Sequence, residues 1–255
     1  AGRLASVVGV DLAQIRPDWV AKLSPEARAR VSFQGGIKAE SLPFEDAGFD
    51  LVCSQFGIEY TELSRSLAEA ARVLKPGGAL ALVLHDPQSL MCRNAREERE
   101  HLAWIGRSGM LELSSRMCGM MARAATPAGR QALAADPAAE ELRNQLNNGM
   151  ANMALYAKQA SVPDILGHAQ RTMFEAIQSS QHSGDAEVGL KQLAWLREQL
   201  AQSDLRLAEL LDCALDETAL DGFLAGTGLV EENRRSLSFP GGERLGWWLQ
   251  ARKPA

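Results

Sequence analysis

The sequence predicts an α/β chain in which a mostly parallel sheet with an antiparallel terminal strand is interrupted by an all-helical insertion. Three observations predict it. Short, almost continuously apolar runs in the first part of the chain alternate with helical patterns, as buried parallel strands joined by crossovers do. Strand signals then vanish from Ser89 to about Leu215, where helical periodicity prevails and β-branched residues are few. Beyond that stretch two strand-like runs flank Pro240, Gly241 and Gly242, a natural hairpin turn.

In chain order, SVVGVD from Ser6 to Asp11 is an apolar run ending in an acid, read as a buried strand. Trp19, Val20, Leu23 and Ala27 then recur at helical spacing, with Pro25 splitting the Asp18 to Arg30 crossover into two short pieces. Val31 and Phe33 mark a second strand, and FDLVCS from Phe49 to Ser54 a third. A helix follows from about Thr61 to Leu74 and stops at Lys75, Pro76, Gly77 and Gly78, where proline cannot continue it. ALALVL from Ala79 to Leu84 is the fourth strand. This rhythm of strand and helix implies right-handed βαβ units.

Within the insertion, breaks are expected at Thr126-Pro127, Asp136-Pro137, Val162-Pro163 and the polar Ser179 to Asp185 stretch, leaving roughly four to six helices. Glu217 to Ala225 reads as a helix stopped by Gly226 to Gly228, and Leu229 to Phe239 and Arg244 to Arg252 as the strands of the hairpin. No internal repeat is present.

With 255 residues, 46% of them of hydrophobic type, the chain can bury a sizeable core. A net charge of −5 without a Lys/Arg run disfavours wrapping nucleic acid, so no nucleic-acid partner is expected. Cys53, Cys92, Cys118 and Cys213 form no CxxC pair, and His85, His101, His168 and His182 are equally scattered, so no metal site is expected. No apolar run has the length of a membrane span and no signal-peptide pattern opens the chain, which makes a soluble cytoplasmic protein the expectation.

Four blocks in order, VVGVDLA around Asp11, KAESLPFEDAGFDLVCS from Lys38, ARVLKPGGALALVL from Ala71 and the terminal hairpin, resemble the class I S-adenosylmethionine-dependent methyltransferases, particularly those that methylate small molecules. The resemblance covers residues 6 to 86 and 217 to 253. An acid after a strand also marks dinucleotide-binding folds, but the antiparallel hairpin is foreign to them. The resemblance implies a Rossmann-like methyltransferase core over 1–88 and 216–255 and a helical insertion or lid over 89–215. It implies S-adenosylmethionine as cofactor and a small-molecule substrate.

Carried onto this sequence, the family pattern places Asp11 on the cofactor's ribose hydroxyls, with Leu12 beside it. Ala39 and Glu40 fall in the adenine-contacting segment, and Ser54, Gln55 and Phe56 border the methionine end. The ordinary roles are a surface acid or helix cap for Asp11 and a plain strand-to-helix loop for Ser54 to Phe56. Two departures stand out. Lys38 replaces the acid usual before the Ala-Glu pair, and the first strand and Gly-rich turn expected roughly fifteen to twenty residues before the VVGVD strand are absent. Gly2 is read as a remnant of that turn, on the expectation that the working protein has more chain.

Methyl transfer from a sulfonium is a direct displacement that asks chiefly for alignment and exclusion of water. If the acceptor must lose a proton, His85 in LVLHDP is the candidate catalytic base, against the plainer role of bonding the loop with Asp86. Glu59 and Tyr60 in SQFGIEY are further candidates for substrate or cofactor contact, against the plainer helix-entry role. All eight methionines, from Met91 to Met173, fall in the insertion, where core filling, a lipophilic pocket and a homodimer interface compete as their use. Trp247 and Trp248, adjacent on a strand, point to opposite faces. Two other readings stand beside the enzyme: a methyltransferase-like binding protein without catalysis, favoured by Lys38 and the absent turn, and a helical interaction module, favoured by the long insertion.

Overall fold

A computed structural model describes residues 6–255 of the chain, so Gly2 lies outside the described residues. The chain divides into two compact units, one made of Ala1–Leu90 with Cys213–Ala255 and the other of Met91–Asp212.

In the first unit, β1 (Val7–Asp11) runs parallel to β2 (Val31–Gly35), with Asp11 opposite Gly35 at their carboxyl ends. The crossover is split at Pro25: a 3-10 turn spans Asp18–Lys22, and α1 (Pro25–Arg28) starts with Pro25 in its first turn behind the Ser24 cap. Proline is tolerated there because its missing N–H has no helical partner in any case. A Cβ on Gly9 would sit 2.6 Å from the Phe33 ring, so the aromatic side chain packs directly over β1.

β3 (Phe49–Gln55), α2 (Leu63–Val73) and β4 (Leu74–Leu84) form the next βαβ unit, with β3 and β4 parallel. β6 (Arg244–Arg252) pairs antiparallel with β4, and β5 (Val230–Ser238) pairs antiparallel with β6. Among the described residues the strands therefore form a two-stranded sheet, β1-β2, and a four-stranded sheet ordered β3-β4-β6-β5. The mixed sheet agrees with the fold class read from the sequence. Leu80, Leu82 and Leu84, spaced by two along β4, are fully buried, as is Leu249 opposite Leu82. Each such leucine contributes on the order of 2 kcal/mol by leaving water.

Three local expectations need correction. The reversal at Pro76 to Gly78 lies inside the extended β4 segment, and the β3 register jumps from Phe49–Leu74 to Leu51–Ala79 across it. Gly77, with φ of 77°, provides the left-handed step. The helix expected to reach Ala225 is shorter: α9 spans Glu217–Leu220, and Gly222 at φ 80° turns the chain before the glycines that were expected to stop it. A 3-10 turn at Ile58–Tyr60 also precedes α2, which starts at Leu63 rather than Thr61.

The second unit is helical throughout its regular structure, with α3 (Leu90–Arg107), α4 (Met110–Arg123), α5 (Pro127–Ala134), α6 (Pro137–Gln159), α7 (Asp164–Ser183) and α8 (Ala186–Cys213). Thr126 and Asp136 cap α5 and α6 by accepting the Gly129 and Ala138 N–H bonds, each ahead of a proline in the first turn. Gly184 and Gly109 take left-handed conformations at the α7–α8 and α3–α4 junctions. The core holds Met110, Met117, Met153 and Met173 among leucines and alanines, which is the core-filling use of methionine. A Cβ at Gly189 would meet the Ala176 carbonyl oxygen at 2.3 Å, so glycine permits the close approach of α8 to α7. Among the described residues no helix is long and apolar enough to cross a membrane.

Candidate functional site

A cleft of about 750 Å³ opens in the first unit at the carboxyl ends of β1 and β3, where open α/β sheets bind ligands. Asp11, Leu12, Ala39, Glu40 and Ser54 line it; Gln55, Phe56 and His85 do not. The division follows from strand geometry, since Ser54 and Gln55 are consecutive on β3 and project to opposite faces.

Asp11 ends β1 with an exposed side chain. Its Oδ1 accepts the Ala13 N–H at 2.8 Å, which fixes the carboxylate, while Oδ2 has no partner among the described residues. The backbone is held too, because the Ile37 N–H donates to the Asp11 carbonyl at 3.0 Å. Glu40 accepts the Glu62 N–H on Oε1 at 3.0 Å. That bond, helped by its own N–H and the nearby Lys38 and Arg65 cations, holds its carboxyl below the usual range. Ser54 accepts the Ile58 N–H on Oγ at 3.0 Å, tying the end of β3 to the 3-10 turn that carries Tyr60 into the cleft wall.

The segment that follows Glu40 is clamped from α2. Arg72 donates to the carbonyls of Leu42 and Phe44 and to the carboxylates of Asp46 and Glu69, and Glu69 in turn accepts the Leu42 N–H at 2.7 Å. Sequence reasoning missed this clamp. Its one visible trace is the Glu69/Arg72 pair at helical spacing, which by itself points as readily to an exposed ion pair.

Behind the cleft lies a buried polar cluster at the end of β4. Glu59, His85 and Asp86 are 4%, 4% and 2% exposed. Glu59 Oε1 accepts the His85 N–H at 3.0 Å, and neither Glu59 Oε2 nor His85 Nδ1 has a hydrogen-bond partner among the described residues. Burial pushes the Glu59 carboxyl above the usual carboxylate range and the His85 imidazole below its ordinary value, so both favour their neutral forms. His85 stacks on Phe56, ring centroids 4.5 Å apart, and meets the edge of Tyr60 at 5.8 Å. Phe56 itself has φ of 52°, an uncommon conformation for a residue with a Cβ. Asp86 faces Arg244 Nε at 2.5 Å and accepts the Gln88 N–H at 2.7 Å, while Arg244 lies 4.6 Å over the Trp247 ring.

Against known proteins, residues 1–82 match the family described as a methyltransferase domain. That stretch contains β1 to β3 and most of β4, and with them every residue that lines the cleft. The match covers about a third of the chain. Demethylmenaquinone methyltransferase of Chlorobaculum tepidum is 31% identical over 102 residues, 40% of this chain and 38% of that enzyme. The ubiquinone/menaquinone biosynthesis C-methyltransferase of Brucella anthropi is 56% identical over 41 residues, 16% of each chain. An uncharacterized Escherichia coli protein, YafE, is 37% identical over 86 residues, 32% of this chain and 41% of that one. The chain thus spans less than half the length of each of these relatives. Within the matched stretch, Asp11 at the end of β1, Ala39, Glu40 and Ser54 on β3 all line the cleft.

Proposed function

We propose that the chain is an S-adenosylmethionine-dependent methyltransferase acting on a small-molecule acceptor. One observation carries this reading: Asp11, fixed at a strand end with one carboxylate oxygen engaged and the other without a described partner, stands on the wall of a cleft large enough for a nucleoside. The volume falls in the roughly 300–1,000 Å³ range of small-molecule sites. Asp11 would accept ribose hydroxyls, a charge-assisted contact. Ala39 and Glu40 would frame the adenine, and Ser54 would border the methionine end. The bound cofactor supplies a methyl group activated on a sulfonium.

What remains for the chain is positioning and, where the acceptor must lose a proton, its removal. We assign that proton to His85. Burial keeps its imidazole neutral, hence a base, and Tyr60 links it to the cleft wall. The Leu215 N–H donates to the His85 carbonyl at 2.9 Å and holds the backbone of that strand end. A small acceptor accords with the net charge of −5 and with quinone-directed relatives.

The test is transfer of label from methyl-labelled S-adenosylmethionine to a panel of reduced quinones and other phenolic acceptors by the full chain. The expected result is label in one acceptor class, lowered at least tenfold by His85→Asn with cofactor affinity unchanged. Cofactor binding without transfer to any small molecule contradicts the proposal.

A further inference from the structure

The helical unit contains a groove of about 650 Å³ between α3 and α8, separate from the residues that form the cleft. Its floor is aliphatic: Leu102, Ile105 and Leu200 are buried there. Gly106 lines it, and a Cβ built on that residue meets no atom within 4 Å. The rim is charged. Arg99 Nε donates to Asp204 Oδ1 at 2.7 Å, bracing the two helices across the groove, and this bond holds the guanidinium above its usual range. Arg197 also lines the groove and has no ion pair among the described residues. Arg96 and Glu100 complete the rim, and the Asp212 carboxylate acts on Arg99 beside Asp204, which leaves Arg197 as the lining guanidinium to be matched.

An aliphatic floor beside an arginine without an ion pair among the described residues suits a molecule that is apolar along its length and negative at one end. Simple filling by a partner's apolar side chains would leave Arg197 desolvated without a counter-charge, which is costly. We propose that the groove is a binding site for a straight-chain fatty-acid anion, the alkyl chain against Leu102, Ile105 and Leu200 and the carboxylate at Arg197. The site is independent of the methyl-transfer reading.

Calorimetric titration of the full chain with decanoate below its micelle concentration tests it, with decanol and decyltrimethylammonium as neutral and cationic analogues. Decanoate is expected to bind, with affinity lowered at least tenfold by Gly106→Leu and at least fivefold by Arg197→Gln, and the two analogues to bind more weakly. Leucine favours a helix more than glycine does, so Gly106→Leu is expected to melt no lower than the parent. If it does melt lower, Ala201→Leu serves as the second groove-filling variant. Absence of decanoate binding, binding unchanged by the groove-filling variant, or equal affinity for decyltrimethylammonium overturns the proposal.

Discussion

At Glu59 a carboxyl group is buried with one oxygen lacking a described partner, and Glu59 and His85 affect stability with opposite sign. For Glu59 the folded pKa lies above the unfolded value of about 4.3. The unfolded chain therefore ionises first, and stability falls as pH rises from about 4.3 through the raised folded value. For His85 the folded pKa lies below the unfolded value of about 6.5, so stability falls as pH drops beneath 6.5 toward the depressed folded value. Glu59→Gln, which retains an oxygen for the His85 N–H, is expected to raise the melting temperature at pH 7 and leave it unchanged near pH 3.5. His85→Gln is expected to flatten the acid-side loss. Thermal melts across pH 3.5–8 check both, and a Glu59→Gln protein that is less stable at pH 7 contradicts the assignment. Asp11, Ala39, Glu40 and Ser54 were legible as neighbours because each sits at the end of a strand or in the loop after one. The orientation of Phe56 and the burial of Glu59 were not, because a left-handed φ at a phenylalanine and the depth of a loop acid depend on packing that no local pattern encodes.

At the level of elements, helix starts were the most legible feature. A capping side chain followed by proline writes the N-terminus into adjacent residues, as at Thr126-Pro127 and Asp136-Pro137. Helix ends were less so. The C-terminus of α2 is capped from far along the chain: Lys253 Nζ donates to the Ala71 and Leu74 carbonyls at 2.7 and 2.8 Å, a contact between residues about 180 positions apart. Lys253→Met is expected to destabilise the chain by about 2 kcal/mol through loss of charge-assisted bonds to carbonyls otherwise left open. Denaturant unfolding measures this, and an unchanged midpoint contradicts it. Arg72 likewise ties α2 to the segment after Glu40, so Arg72→Met is expected to weaken cofactor binding as well as lower the melting temperature. The early end of α9 at Leu220 escaped the sequence because Gly222 and Gly226 are equally plausible stops.

At the scale of the whole molecule, the shift from alternating strand and helix to unbroken helix was visible as a change of period. What covers each helix was not. The Met91–Asp212 unit carries a core of its own, in which Leu102, Met117, Met153, Met173 and Leu196 pack together. Residues 91–212 alone are accordingly expected to give a helical circular-dichroism spectrum and a single cooperative thermal transition. A non-cooperative melt contradicts an autonomous core. The cleft residues belong to the other unit, within the stretch that matches the methyltransferase-domain family, and the proposed function rests there on Asp11. The most direct measurement is calorimetric titration of the full chain with S-adenosylhomocysteine, repeated with Asp11→Asn, which keeps the oxygen that accepts the Ala13 N–H and removes the charge. The parent chain is expected to bind, and the variant to bind at least tenfold more weakly, a loss of about 1.4 kcal/mol. No binding by the parent chain, or equal affinity in both proteins, contradicts it.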